Sequence, residues 1–307
     1  MVWPNLFAGL VLFWPAILGL FLLGFCCIVF AVFLIGSTVL VFTIFVYGLY
    51  CILRDLGLLD WVFEKIGTIS NYISDHVKKN VEESFVFENH CEKISGPALY
   101  LCHPHGLYGI SWFLHFSGSL SLWPFKERPV LAVHSVFFHI PILRELFTKN
   151  RCIEATEEEI ARCLKEGTSV ALLVGGIEEL HLSEPGKMKL VLRKREGYAR
   201  IAKKWKVPLV PLVSPNENDL FPAIKNRVWK WIQEILYTSF RIALPLPSIE
   251  SLWSWITIAY KPFPQPLKTY ILNPVYPDEK SLEEIKSEYS KRLTHFSTKY
   301  SIPMELI

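Results

Sequence analysis

The sequence predicts an α/β domain carried on an N-terminal transmembrane helical hairpin, from three observations. No charged side chain occurs before Arg54. Beyond it, short apolar runs alternate with helical patterns, the order expected of layered α/β folds. Several of those runs end in Gly, His or Glu, residues suited to sharp turns and to chemistry.

The first observation sets the division of the chain. Residues 6–53 are almost wholly Leu, Val, Ile, Phe, Ala, Gly, Cys and Trp. At about 1.5 Å per residue such a run is roughly 70 Å long as one helix, about twice a hydrocarbon core of about 30 Å. Two spans with a break near Gly36–Ser37 account for the length, and a re-entrant wedge in one leaflet is the other reading. A cleaved signal peptide needs a basic start, a short apolar core and a small-residue cleavage site, and these are absent. Residues 1–53 are therefore expected to be membrane-embedded and 54–307 to form the globular domain. Arg54, Lys65, Lys78 and Lys79 favour a cytosolic face for that domain. A net charge of +3 gives no case for nucleic acid. Seven cysteines without a C-x-x-C pair argue against a disulfide framework.

Strands are expected at 98–102, 130–133, 169–174, 208–213 and 269–272, and helices at 108–117, 140–148, 157–165, 190–205 and 282–300. In the last helix Leu282, Ile285, Tyr289, Leu293, Phe296 and Tyr300 recur at three- and four-residue steps, which reads as core packing, with Glu288 and Arg292 paired on the opposite face. The Pro-, Leu- and Trp-rich stretch 244–266 reads either as a surface loop or as a segment resting on the bilayer.

Chemistry concentrates at the end of the first strand, in His103-Pro104-His105-Gly106. Pro104 biases His103 towards extended backbone, and Gly106 can take positive φ and turn the chain into the next helix. Two imidazoles are thus set at a strand's carboxyl end beside a helix N-terminus. Acyl transfer to an alcohol needs a base unprotonated near neutrality and donors for an oxyanion. Histidine supplies the first, and the amides of the following turn the second. The packing alternative leaves the motif unexplained. A metal would need further ligands, and His115, His134, His139 and His181 have no ligand spacing, so no metal is expected.

A second apolar strand ends in Gly175-Gly176-Ile177-Glu178-Glu179. Glu178 or Glu179 can approach His105 where strand ends converge, and a carboxylate there orients an imidazole. Gly186-Lys187 lacks the earlier glycine of a P-loop. The segment from Lys187 to Lys206 is strongly basic, with Lys189, Arg193, Lys194, Arg195, Arg200, Lys203 and Lys204, which suits phosphates or anionic headgroups as well as a solvated face. No G-x-S-x-G nucleophile elbow occurs, so a serine hydrolase is not indicated.

Taken in order, His103-Pro-His-Gly106, Pro141-Ile-Leu-Arg-Glu145, Val174-Gly-Gly with Glu179, Pro185-Gly-Lys187, Leu192-Arg-Lys-Arg-Glu-Gly-Tyr198 and Pro211 through Glu217-Asn218 resemble the blocks of the type-2 diacylglycerol acyltransferase family, which includes monoacylglycerol and wax-alcohol acyltransferases. The resemblance implies a glycerolipid-acyltransferase-like α/β domain and an endoplasmic-reticulum membrane enzyme that also reaches lipid droplets. Acyl-CoA is the implied co-substrate, with no cofactor, and the acceptor a neutral lipid such as diacylglycerol. The lipid bilayer is an implied partner and a homo-oligomer an admissible assembly. His105 is the implied base with Glu179 as its partner and His103 as the orienting or exchangeable member. Gly106, Gly175, Gly176, Lys187, Arg193, Arg195, Glu217 and Asn218 are the implied substrate-binding set. Two departures bear on the acceptor. The Tyr-Phe-Pro block is missing between Tyr72 and Tyr100, and the family's Gly-Glu-Asn stands as Asn216-Glu217-Asn218. The related phospholipid-making enzymes place an aspartate five residues after a histidine, where this chain has Tyr108 and Ile110.

Overall fold

The computed structural model describes residues 37–65, 67–68, 83–87, 94, 96–116, 121–223, 226–240, 248 and 267–307, with only the backbone at 37–42, 83–87 and 240. The predicted hairpin lies mostly outside these residues, as does nearly all of 244–266. Among the described residues, no helix is long and apolar enough to cross a membrane.

A seven-stranded sheet organises the domain. In chain order its strands are β1 (Glu83–Phe87), β2 (Leu99–His103), β3 (Val130–Val133), β4 (Cys152–Glu154), β5 (Val170–Leu172), β7 (Leu209–Val213) and β8 (Leu267–Ile271). A separate parallel pair joins β6 (Met188–Leu190) to β9 (Met304–Leu306). The large sheet runs β1-β8-β7-β2-β5-β3-β4 and is parallel except where β7 meets β8. β2 lies between β5 and β7, with Leu99 opposite Val170 on one side and Leu209 on the other.

Both faces of the central strands are covered, so they read as nearly continuous apolar runs. Leu99 and Leu101 point to one face, where helices α4 (Glu157–Lys165), α6 (Gly197–Trp205) and α9 (Leu282–Tyr300) bury Ile160, Leu164, Ile201, Ile285, Leu293 and Phe296. Ala98 and Cys102 point to the other, under α2 (Ile110–Phe116) and α3 (Leu143–Lys149), with Trp112, Phe116 and Phe147. The caps follow from local chemistry. Thr156 accepts from the Glu159 amide at the start of α4, and Ser281 and Glu284 close a reciprocal capping box on α9. The expected Glu288–Arg292 pair is present at 3.3 Å.

The expected helix at 190–205 is too long. Only Gly197–Trp205 is helical, because Met188–Leu190 pairs with the C-terminal strand instead and the Ile307 carbonyl accepts from the Leu192 and Arg193 amides. The charged segment thus starts as a strand and a turn. Among the described residues, helices that were not anticipated include α5 (Gly176–His181), α7 (Glu217–Leu220) and α8 (Arg227–Phe240). α1 (Ser37–Asp55) leaves Ile44, Phe45 and Ile52 exposed and attaches to the domain through Tyr47, whose hydroxyl donates to the His139 carbonyl, and Tyr50, which accepts from the Ile142 amide.

Candidate active site

β2, β5 and β7 are mutually parallel, so the segments leaving their carboxyl ends meet on one side of the sheet. From β2 comes the turn 103–109, from β5 comes α5 with Glu179, and from β7 comes α7 with Glu217. This is where open α/β sheets place their sites.

The turn is held at several points. The His103 carbonyl accepts from the Ser214 amide at 2.8 Å, joining the ends of β2 and β7. The peptide between His103 and Pro104 is cis. The Pro104 carbonyl accepts from Trp112 Nε1 at 2.9 Å. Gly106 takes φ +65°, where glycine is favoured.

His105 is half-buried, and its Nδ1 lies 2.9 Å from the Gly106 carbonyl. A carbonyl can only accept, so Nδ1 carries the proton and Nε2 presents its lone pair. Nε2 makes no hydrogen bond among the described residues. Burial lowers the His105 pKa, with the Gly106 carbonyl acting in the opposite direction, so the ring is neutral at physiological pH. His103 is shut away from solvent and held neutral by burial, its pKa pushed down to about 3. Its Nε2 is 2.8 Å from the Tyr289 hydroxyl, while its Nδ1 is buried without a partner among the described residues. Of the two histidines, the half-buried one is the one that can meet a substrate.

Glu179 is 1% exposed and stands beside the turn, as expected, yet its contact runs to the main chain. One oxygen accepts from the His105 amide at 2.7 Å and the other from the Val191 amide at 3.1 Å. It therefore fixes where His105 sits and ties the turn to the basic segment. Gly175 lies so close that a Cβ there would collide with the Glu179 side chain. Burial raises the Glu179 carboxyl to about 7, against the pull of the two amides.

Glu217 was expected to contact substrate, but it is 2% exposed and caps α2. It accepts from the amides of Ile110 at 2.8 Å and Ser111 at 2.9 Å, and from the Ser111 hydroxyl. The Ile110 and Ser111 amides at the start of α2 are thus taken by a carboxylate, which leaves the expected oxyanion donors to the turn before them. Burial raises Glu217 to about 7 as well. Asn218 is equally buried, donating to the Lys187 carbonyl at 2.6 Å and accepting from Ser183 at 3.0 Å. These two residues brace the segments that carry the site.

Apart from the half-buried Lys189, the basic residues are exposed, and most have partners. Arg195 reaches Glu178 at 3.6 Å and the Gly175 carbonyl at 3.4 Å, and Lys187 approaches Glu184 at 3.9 Å. Lys189 pairs with Glu184, and Arg200 and Lys204 with Glu157. Arg193 forms no ion pair among the described residues. Gly176, at φ +56°, opens α5 beside this cluster. No group of three or more His, Cys, Asp and Glu among the described residues is placed to hold a metal ion. Sequence reading missed Tyr289 and Ser111 as parts of the site. Tyr289 sits on the apolar stripe of α9, where nothing in the spacing signals its hydroxyl.

The fold and site together define a mostly parallel α/β domain with a neutral, half-buried histidine in a braced strand-end turn. The model of the diacylglycerol acyltransferase family matches residues 70–305, and the chain belongs to that family. It is 32% identical to human acyl-CoA wax alcohol acyltransferase 2 over 45% of this chain and 46% of that protein. It is 28% identical to mouse 2-acylglycerol O-acyltransferase 1 over 66% of this chain and 65% of that one. With rat diacylglycerol O-acyltransferase 2 the identity is 26% over 66% of this chain and 57% of that one. The matches thus span about half to two thirds of these relatives. Among solved structures, the 1-acyl-sn-glycerophosphate acyltransferase PlsC from Thermotoga maritima aligns with a TM-score of 0.40 and 13% identity over 84% of this chain and 95% of that one.

Proposed function

We propose that this chain is a membrane-attached acyl-CoA-dependent O-acyltransferase that moves a fatty acyl group to the hydroxyl of diacylglycerol, forming triacylglycerol. The observation that carries the reading is His105: neutral, half-buried and pinned in the tautomer whose Nε2 is an acceptor. Nε2 removes the proton of the acceptor hydroxyl as its oxygen attacks the thioester carbonyl. The tetrahedral intermediate then collapses with cleavage of the C–S bond, and the imidazolium returns the proton to the coenzyme A thiolate. No acyl-enzyme is needed.

With the Ile110 and Ser111 amides held by Glu217, the oxyanion falls to the amides of Gly106 and Leu107 earlier in the turn. Arg193, with Lys187 and Arg195 nearby in sequence, is assigned to the phosphates of coenzyme A. Membrane attachment through 1–53, with 54–307 on the cytosolic side of the endoplasmic reticulum or on lipid droplets, is supported by the uncharged N-terminal run and the exposed apolar side chains of α1.

The test is expression in cells unable to make triacylglycerol, with neutral lipids identified by mass spectrometry. Triacylglycerol that appears with the wild-type chain and not with His105→Ala supports the proposal. Wax ester, or diacylglycerol made from monoacylglycerol, as the sole new product would overturn the choice of acceptor.

A further inference from the structure

His103 and Tyr289 form a pair of polar groups closed off from water. Both are fully buried, the Tyr289 hydroxyl lies 2.8 Å from His103 Nε2, and the Tyr289 ring packs on Tyr198 at 5.5 Å between ring centroids. Two apolar side chains would fill the same space without desolvating an imidazole and a phenol, and such replacement of both partners is close to neutral for stability. Stability therefore does not account for the pair. Direction does. The His103 backbone is fixed by the sheet, where it faces Val213 and accepts from Ser214. The Tyr289 hydroxyl adds the one hydrogen bond that the His103 ring makes among the described residues, just before Pro104 and His105. It reaches across from α9, 186 residues along the chain.

We propose that Tyr289 is a positioning residue for acyl transfer, acting through His103 to set the angle at which the turn presents His105. It touches no substrate. Glu179 holds the His105 amide from one side and Glu217 holds the start of α2 from the other. Tyr289 supplies the third support, on the opposite face of β2 from Trp112.

The inference rests on His105 being the base, and the test separates the two claims. Tyr289→Phe keeps the ring and removes the hydroxyl. Since misplacement of a reacting group by about 1 Å can cost about 100-fold, kcat is expected to fall by about 10- to 100-fold with KM for acyl-CoA unchanged. His103→Leu combined with Tyr289→Phe removes both polar groups together. If the pair merely satisfies buried atoms, this double variant recovers the wild-type rate, which overturns the proposal. If it positions the turn, the double variant folds and stays slow. A wild-type kcat in Tyr289→Phe also overturns it, as does an unchanged His103 signal in nitrogen-15 spectra of the histidine side chains. Failure of the base assignment shows differently, as equal rates in wild type and His105→Ala.

Discussion

Replacing Gly106 with alanine tests the geometry of the site through one methyl group. Gly106 sits at φ +65°, and a Cβ built there lies 2.5 Å from Glu217 Cγ, 2.7 Å from Oε1 and 3.0 Å from Cδ. The left-handed backbone alone costs an alanine about 1–2 kcal/mol. The overlap adds the cost of overpacking a buried site, about 1–3 kcal/mol, because Glu217 cannot retreat without leaving the Ile110 and Ser111 amides. Gly186→Ala is the control. Gly186 has a similar φ of +72° with nothing within 4 Å of its Cβ, so that variant carries the backbone term alone. Chemical denaturation of both variants in detergent should therefore separate them by about 1–3 kcal/mol, with Gly106→Ala the weaker. Gly106→Ala should also lose about 100-fold in acyl transfer, since the turn that presents His105 must shift. Equal stabilities for the two variants, with full activity in Gly106→Ala, would refute the placement of Glu217 inside the turn.

Two further outcomes follow from the same site. Glu179→Gln retains one good acceptor and sets an amide NH2 against a backbone N–H, leaving a buried donor unpaired. A stability loss of about 1–3 kcal/mol is expected, together with a fall in kcat that is largest above pH 7, where the wild-type carboxyl is ionised. Wild-type stability and kcat in Glu179→Gln would contradict this. His103 gives a pH prediction. Its folded pKa of about 3 is below its unfolded value of about 6.5, so the unfolded chain takes up a proton that the native state refuses. Stability from this group is complete above pH 6.5 and is lost as the pH falls towards 3. His103→Asn cannot charge, so the stability of wild type minus that of the variant should shrink between pH 7.5 and 5.5. Glu179 and Glu217, raised by burial, oppose the trend but are common to both proteins and cancel in the difference. Denaturation midpoints at the two pH values measure this, and a constant difference would contradict it.

How much of this was legible in the residues depended on whether the signal was local. β3, α4 and α9 fall where their patterns predict, because Val130–Val133 is a continuous apolar run and the two helices carry both caps and stripes. β4 was not readable, since Cys152–Glu154 is three residues long and ends in a carboxylate. The helix now seen as α6 was started too early, at residue 190, because Leu190 and Val191 fit either period, and the partner strand of β6 lies more than a hundred residues away. The strand-end turn 103–109 was legible because His, Pro and Gly have distinct backbone preferences at adjacent positions. Its supports were not. Glu217 reaches Ile110 across 107 positions, and no spacing rule distinguishes a carboxylate that caps a helix from one that binds a ligand. Tyr289 was read as core, and by burial it is. Only the direction of its hydroxyl gives it a second part.

The central claim is that His105 Nε2 is the base of acyl transfer, and the rate of His105→Ala tests it most directly. Wild type and variant, purified in the same detergent and matched for folding, would be supplied with labelled oleoyl-CoA and diacylglycerol. A positioned general base contributes about 100- to 10,000-fold, so the variant should form labelled triacylglycerol slower by about that factor. Formation at the wild-type rate would contradict the account.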